Sequence, residues 1–297
     1  MAQITLLDGS IGQELVKRSG DRATPLWSTR VMIDYPDLVG EVHGEYFRRG
    51  ATVATTNTYA VHRSRLVRVG MEDQVPTLID TALTQAERAR AGTGGRIAGA
   101  LGPLLASYRP DLNPDPADAA EKFGELVALM AERVDLFLIE TVSSVQEGEG
   151  ALRGTEGCGR PVWLALTVMD DDGTRLRSGE ALGDIAPLVE RFAPAAVLIN
   201  CSRPEAIPAA LEIVKGLGCP FGAYANGFTR ISDGFLKEAP TVDALEQRQD
   251  LGPHAYATLA MGWVEQGATI VGGCCEVGPD HIAELARALR AAGHEIV

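Results

Sequence analysis

The chain has 297 residues, 45% of them hydrophobic and 23% charged, which supplies a large core and argues against a disordered polymer. Its formal net charge of −13 makes nucleic acid a poor partner, because phosphate recognition needs basic patches. No apolar run nears the roughly 20 residues that cross a bilayer, and the opening MAQITLLDGSIGQEL lacks a basic segment before a long apolar stretch, so no membrane anchor or secretory leader is expected and the expected compartment is cytoplasmic.

In chain order, short apolar runs alternate with helix-like stretches. Strands are expected at Ile4–Asp8, Thr52–Asn57, Arg96–Gly102 and Leu136–Glu140, then at Val162–Val168, Ala196–Cys201, Phe221–Asn226 and Thr269–Cys274. Between them lie helical patterns such as DLVGEVHGEYFRRG, VPTLIDTALTQAERARAG and PADAAEKFGELVALMAERV, punctuated by Gly and Pro. The strands read as continuous apolar runs, as buried parallel strands do. A strand followed by a helix, eight times over, predicts an α/β fold: a single (β/α)8 TIM barrel spanning residues 1–297. An open doubly wound sheet is the rival, but no G-x-G-x-x-G follows the first strand. The Pro- and Asp-rich segment at 107–118 and the segment at 229–243 read as long loops.

Parallel barrel strands end on one face, where barrel enzymes keep their chemistry. The predicted strands end in Asp8, in Thr56 and Asn57, in Glu140, in Cys201, in Asn226, and in Cys274 with Cys275. Glu140 is the most telling of the acids, because a buried strand seldom ends in Glu without a partner or a task. Asp8 in DGS also suits a turn cap, and Asn226 before Gly227 also suits turn chemistry.

Five cysteines in a long chain without a leader argue against a disulfide framework. Cys158 and Cys219 precede their strands and fall at the opposite face. Cys201 and the Cys274–Cys275 pair fall at the same rim, with one strand between theirs. Three thiolates there could take one zinc ion and leave its fourth position open. Nothing in the spacing separates this from three small buried thiols. A zinc hydrolase would favour His and carboxylate ligands, and none of the five His stands at a predicted strand end. The intact acids and cysteines argue against a ligand-binding barrel without activity.

Taken together, LLDGSIGQEL, PLWSTRVMIDYPDLVGEVHGEYFRRGATVATTNTY, LIETVSS, LINCSRPEAI and GATIVGGCCEVGPDHI resemble the homocysteine S-methyltransferase family over nearly the whole chain. The resemblance implies a (β/α)8 barrel in which Cys201, Cys274 and Cys275 hold zinc and the homocysteine sulfur enters as a further ligand. It implies that Asp8 and Glu140 grip the homocysteine ammonium, that Thr56 lines the same pocket, and that Trp27 stands where a cationic methyl donor binds. Asn226 is grouped with these substrate-binding residues. On its own, Trp27 reads rather as a core or interface tryptophan.

The implied chemistry is coherent. A free alkyl thiol is mostly protonated at neutral pH, and zinc deprotonates a bound one. Attack on a methyl group carried by a cation annihilates charge, which suits a dry site with an aromatic face. The family's betaine users carry Tyr directly after the Glu of strand four, where this chain has Thr141. Its folate users work with cobalamin modules that this length excludes. S-methylmethionine or S-adenosylmethionine is therefore the expected donor. Two departures touch the donor side: GPLLASY where the sulfonium users tend to GPYGA, and Glu276 where the family has glycine.

Overall fold

The computed structural model describes residues 1–20, 26–231 and 245–297. All eight expected strands are present: β1 (Gln3–Leu6), β2 (Val53–Thr55), β3 (Arg96–Leu101), β4 (Leu136–Val142), β5 (Val162–Leu166), β6 (Ala196–Asn200), β7 (Phe221–Tyr224) and β8 (Ile270–Val271). Neighbours pair in parallel from β2 round to β8 and on to β1. A parallel bridge between Leu7 and Val53 joins β1 to β2. The Asp8 N–H donates to the Val53 carbonyl at 3.1 Å and the Thr52 N–H to the Leu6 carbonyl at 2.7 Å, so the ring closes. This is the α/β TIM-barrel fold expected from the alternating pattern.

One strand was not expected. β9 (Glu295–Ile296) pairs in parallel with the start of β1. The Thr52 hydroxyl donates to the Val297 carbonyl at 2.7 Å, so the chain's last residues fill the gap between β1 and β2 at the lower rim. Two residues carry too short a pattern to be read as a strand.

Helices cover the outside. After β1 come α1 (Ile11–Ser19), α2 (Ser28–Asp34) and α3 (Pro36–Arg49). α4 (Arg63–Leu66) and α5 (Val75–Arg90) follow β2, and α6 (Pro116–Met130) and α7 (Val145–Thr155) follow β3 and β4. α8 (Ala186–Phe192), α9 (Ile207–Val214), α10 (Pro253–Glu265) and α11 (Pro279–Ala291) complete the cycle. Local signals explain several starts. The Asp115 carboxylate accepts the Ala117 N–H at 2.9 Å ahead of Pro116. At α7 the Ser144 hydroxyl accepts the Glu147 N–H at 3.1 Å. Each such cap contributes about 1 kcal/mol. Residues 107–115 form the expected loop, with one short turn at Pro110–Leu112. Of the loop read at 229–243, only residues 229–231 are described; the rest lies outside the described residues. No described helix is long and apolar enough to cross a membrane.

Strand alternation divides the core. Leu136 and Leu138 face the barrel interior beside Ala98, Trp163, Ala165 and Leu198, whereas Phe137 and Ile139 pack outward against the helices. The interior set continues one step past Leu138 to Glu140, which puts a carboxylate inside the upper barrel. At the lower end the Arg96 guanidinium lies 5.7 Å over the Trp163 ring and donates to the Thr5 hydroxyl at 3.1 Å.

Candidate active site

A cavity of about 310 Å³ opens at the C-terminal ends of the strands. Asp8, Trp27, Thr56, Glu140, Cys201, Cys274 and Cys275 all line it. Residues 8, 56, 140, 201 and 274 come from five different strand ends, so the closed barrel brings together what the chain keeps apart.

The three cysteine sulfurs lie within 4.8 Å of one another. Cys201 and Cys275 have their sulfurs 3.9 Å apart. A tetrahedral zinc at about 2.3 Å from each sulfur sets neighbouring sulfurs roughly 3.8 Å apart, so the donor set fits such an ion. The expectation of free thiols is corrected in one respect: Cys201 and Cys274 are joined as a disulfide. Their Cα atoms are 5.6 Å apart, a spacing that suits a disulfide and follows from the same convergence. The pair must be reduced before all three sulfurs can serve as ligands. Burial, then the charges of Glu276 and Glu140, push the Cys275 thiol up to about 12. A cation among the sulfurs reverses that preference. Cys158 and Cys219 are free and take no part in this cluster.

The two carboxylates occupy another wall. Asp8 is 2% exposed and Glu140 9%. Asp8 accepts the Thr55 N–H at 2.7 Å and the Thr55 hydroxyl at 2.8 Å. Glu140 accepts the Tyr224 hydroxyl at 2.9 Å. Burial raises the Asp8 pKa to about 8 despite the Thr55 bonds, and the Glu140 charge adds to the rise. Burial likewise raises Glu140 to about 7. Among the described residues neither carboxylate has an ion-pair partner. Two buried acids without a counter-ion are costly to hold as carboxylates unless a cation joins them.

Backbone strain gathers at this rim. Among the described residues a non-glycine left-handed φ occurs at Trp27, Tyr108, Thr141, Cys201 and Glu276, and elsewhere only at Ala193. The first four line the cavity and Glu276 adjoins Cys275. Such residues persist where surroundings over-determine them. At Thr141 the register of β4 against β5 shifts. The Thr141 N–H donates to Asn200 Oδ1 and Asn200 Nδ2 to the Thr141 hydroxyl, both at 3.0 Å and fully buried. Asn200 thus clamps the bulge beside Glu140 and stands next to Cys201.

The other expected residues divide. Trp27 lies edge-on to Tyr59 at 6.3 Å and presses on Gly12, where a Cβ would meet its ring at 2.4 Å. The Thr56 hydroxyl accepts the Ala100 N–H at 3.0 Å and bonds the Thr58 hydroxyl at 2.8 Å. Asn226 does not line the cavity. Its Nδ2 donates to the Cys201 carbonyl at 2.9 Å and its Oδ1 accepts the Phe228 N–H at 3.2 Å, so the amide is spent on the backbone behind the sulfur. Tyr224 and Tyr108 were not anticipated. Tyr224 faces inward from a strand that reads as apolar. Tyr108 sits in the post-β3 loop with Arg177 5.1 Å over its ring, a contact with no local sequence signal.

Comparison with known proteins agrees with this architecture. A family model described as homocysteine S-methyltransferase matches residues 5–289. The homocysteine S-methyltransferase of Escherichia coli (strain K12) is 30% identical over 306 aligned positions, covering 95% of this chain and 94% of the relative. The solved structure of the homocysteine methyltransferase MmuM from Escherichia coli in its metallated form superposes with a TM-score of 0.80 at 27% identity, covering 96% of each chain. Its oxidized form gives a TM-score of 0.78 at 27% identity, covering 97% of this chain and 96% of that one.

Proposed function

The chain belongs to the homocysteine S-methyltransferase family of enzymes, and from that premise we propose that it moves a methyl group from a sulfonium donor to the thiolate of L-homocysteine, giving methionine, with zinc held by Cys201, Cys274 and Cys275. One observation carries the reading: three sulfurs and two uncompensated buried carboxylates share a single cavity. A bound zinc would supply a Lewis acid that keeps the incoming thiol deprotonated at neutral pH.

The chain's own residues supply the rest. Asp8 and Glu140 receive the homocysteine ammonium as carboxylates, protons held before its arrival passing to solvent water, and fix the amino acid by charge-assisted bonds. Thr56 lines the same cavity, its hydroxyl held by the Ala100 N–H and the Thr58 hydroxyl. Asn226 acts at one remove, by holding the Cys201 carbonyl. The homocysteine sulfur attacks the donor's methyl carbon; the new C–S bond forms as the donor's own C–S bond breaks, and the donor leaves as a neutral thioether. Trp27 and Tyr59 offer aromatic surface to the cationic donor. S-methylmethionine or S-adenosylmethionine fits the Thr141 position better than betaine does.

The test is direct. Reduced, zinc-loaded protein is incubated with homocysteine and, in turn, S-methylmethionine, S-adenosylmethionine and betaine, and methionine is sought by mass spectrometry. Methionine is expected with a sulfonium donor and not with betaine. No methionine from any donor contradicts the proposal.

A further inference from the structure

We infer that Glu276 and Gln13 form a positioning latch that sets how tightly the Cys201–Cys274–Cys275 cluster holds its metal; the inference rests on the metal reading above. Glu276 directly follows Cys275 and has φ 64°. A residue with a side chain holds that left-handed conformation against a steric penalty that glycine escapes. A side chain at this place demands a compensating contact.

The contact is on the other side of the barrel seam. The Glu276 N–H donates to Gln13 Oε1 at 2.6 Å, and Gln13 Nε2 donates back to Glu276 Oε1. Gln13 is 4% exposed. Its Oε1 also accepts the Ser10 hydroxyl at 3.1 Å. The second Glu276 oxygen meets Lys17 at 2.7 Å. Gln13 and Lys17 lie on α1, just after the loop that carries Asp8, and Glu276 lies just after the two cysteines. Two backbone bonds run alongside: the Gly273 N–H to the Asp8 carbonyl and the Ser10 N–H to the Val277 carbonyl, both at 3.0 Å. The side-chain pair is therefore the polar part of a seam that fixes the Cys274–Cys275 turn against α1.

Adjacent cysteines reach one ion together only if the turn that follows them is held. Groups that orient ligands without touching the metal typically change its affinity 10- to 100-fold. The Lys17 bond is peripheral, because Lys17 is 48% exposed and exposed pairs contribute little.

Zinc affinity is measured by competition with a chromophoric chelator under reducing conditions for the parent chain and for Q13A, E276G and E276Q, with melting temperatures recorded in parallel. Q13A removes both side-chain bonds and leaves the turn's own sequence intact. E276G relieves the left-handed backbone, so a turn governed by backbone strain alone would keep or gain affinity. The latch predicts zinc binding weakened about tenfold or more in both. E276Q keeps an acceptor for Gln13 and is expected to stay within about threefold of the parent. Parental affinity in Q13A and E276G overturns the latch. So does a loss in E276Q equal to that in E276G, which would assign the effect to charge. A parent chain that binds no zinc overturns the metal reading and the latch with it, and its own titration tells that failure from a failed latch.

Discussion

The two ends of this barrel are built from the same eight strands and behave oppositely. At the lower end the Arg96 guanidinium is matched by the Trp163 ring and the Thr5 hydroxyl, β9 fills the seam, and Cys158 and Cys219 remain free thiols. At the upper end Asp8 and Glu140 are buried without a cation, three sulfurs crowd together, and five side-chain-bearing residues hold left-handed backbones. One end is satisfied by the protein alone. The other keeps two acids without a cation among the described residues, and the contrast separates a scaffold from a candidate site.

The largest expected effect is on the sulfurs. Cys274→Ala should abolish zinc retention and methyl transfer, whereas Cys158→Ala should change neither; metal content and turnover of the two variants decide it. Equal loss in both would erase the distinction between the ends.

The acids come next. Glu140→Gln removes a buried, uncompensated carboxylate, so thermal stability should hold or rise while kcat/KM for homocysteine falls about 100-fold, or about 2.7 kcal/mol. Leu138→Ala, two residues below on the same face, should do the reverse first: a loss of about 2–5 kcal/mol of stability. Denaturant melts and steady-state kinetics on both variants check the pair.

The smallest effect is on pH. Asp8 is raised to about 8 and Glu140 to about 7, so between pH 4 and 8 the folded chain holds protons that the unfolded chain has released. Stability of the ligand-free protein should therefore fall as pH rises through that window. Away from the site, burial lowers His43 on α3 to about 4. Its contribution has the opposite sign: complete above about pH 6.5, and lost as pH falls toward 4. Asp8→Asn should remove Asp8's share of the fall, so that in urea melts stability drops less steeply between pH 4 and 8 than in the parent chain, with Glu140 keeping the remainder.

The scaffold was readable in the sequence because buried parallel strands are continuous apolar runs, and six of the eight strand ends name themselves by turning polar. Cys201, Cys274 and Cys275 were readable for the same reason. What escaped was set by contacts between distant segments. Asn226 ends its strand as the other site residues do, yet its amide faces backbone, which no spacing reveals. The Asn200–Thr141 clamp and the Gln13–Glu276 latch join residues far apart in the chain through left-handed turns that non-glycine sequence does not announce. The Cys201–Cys274 disulfide depends on redox state, and composition does not encode that.

Zinc-edge X-ray absorption on the reduced, metal-loaded protein, before and after homocysteine is added, tests the account most directly. Three sulfur neighbours at about 2.3 Å are predicted in the resting state, rising to four when homocysteine binds. A resting site ligated by nitrogen and oxygen, or a sulfur count that homocysteine leaves unchanged, would contradict it.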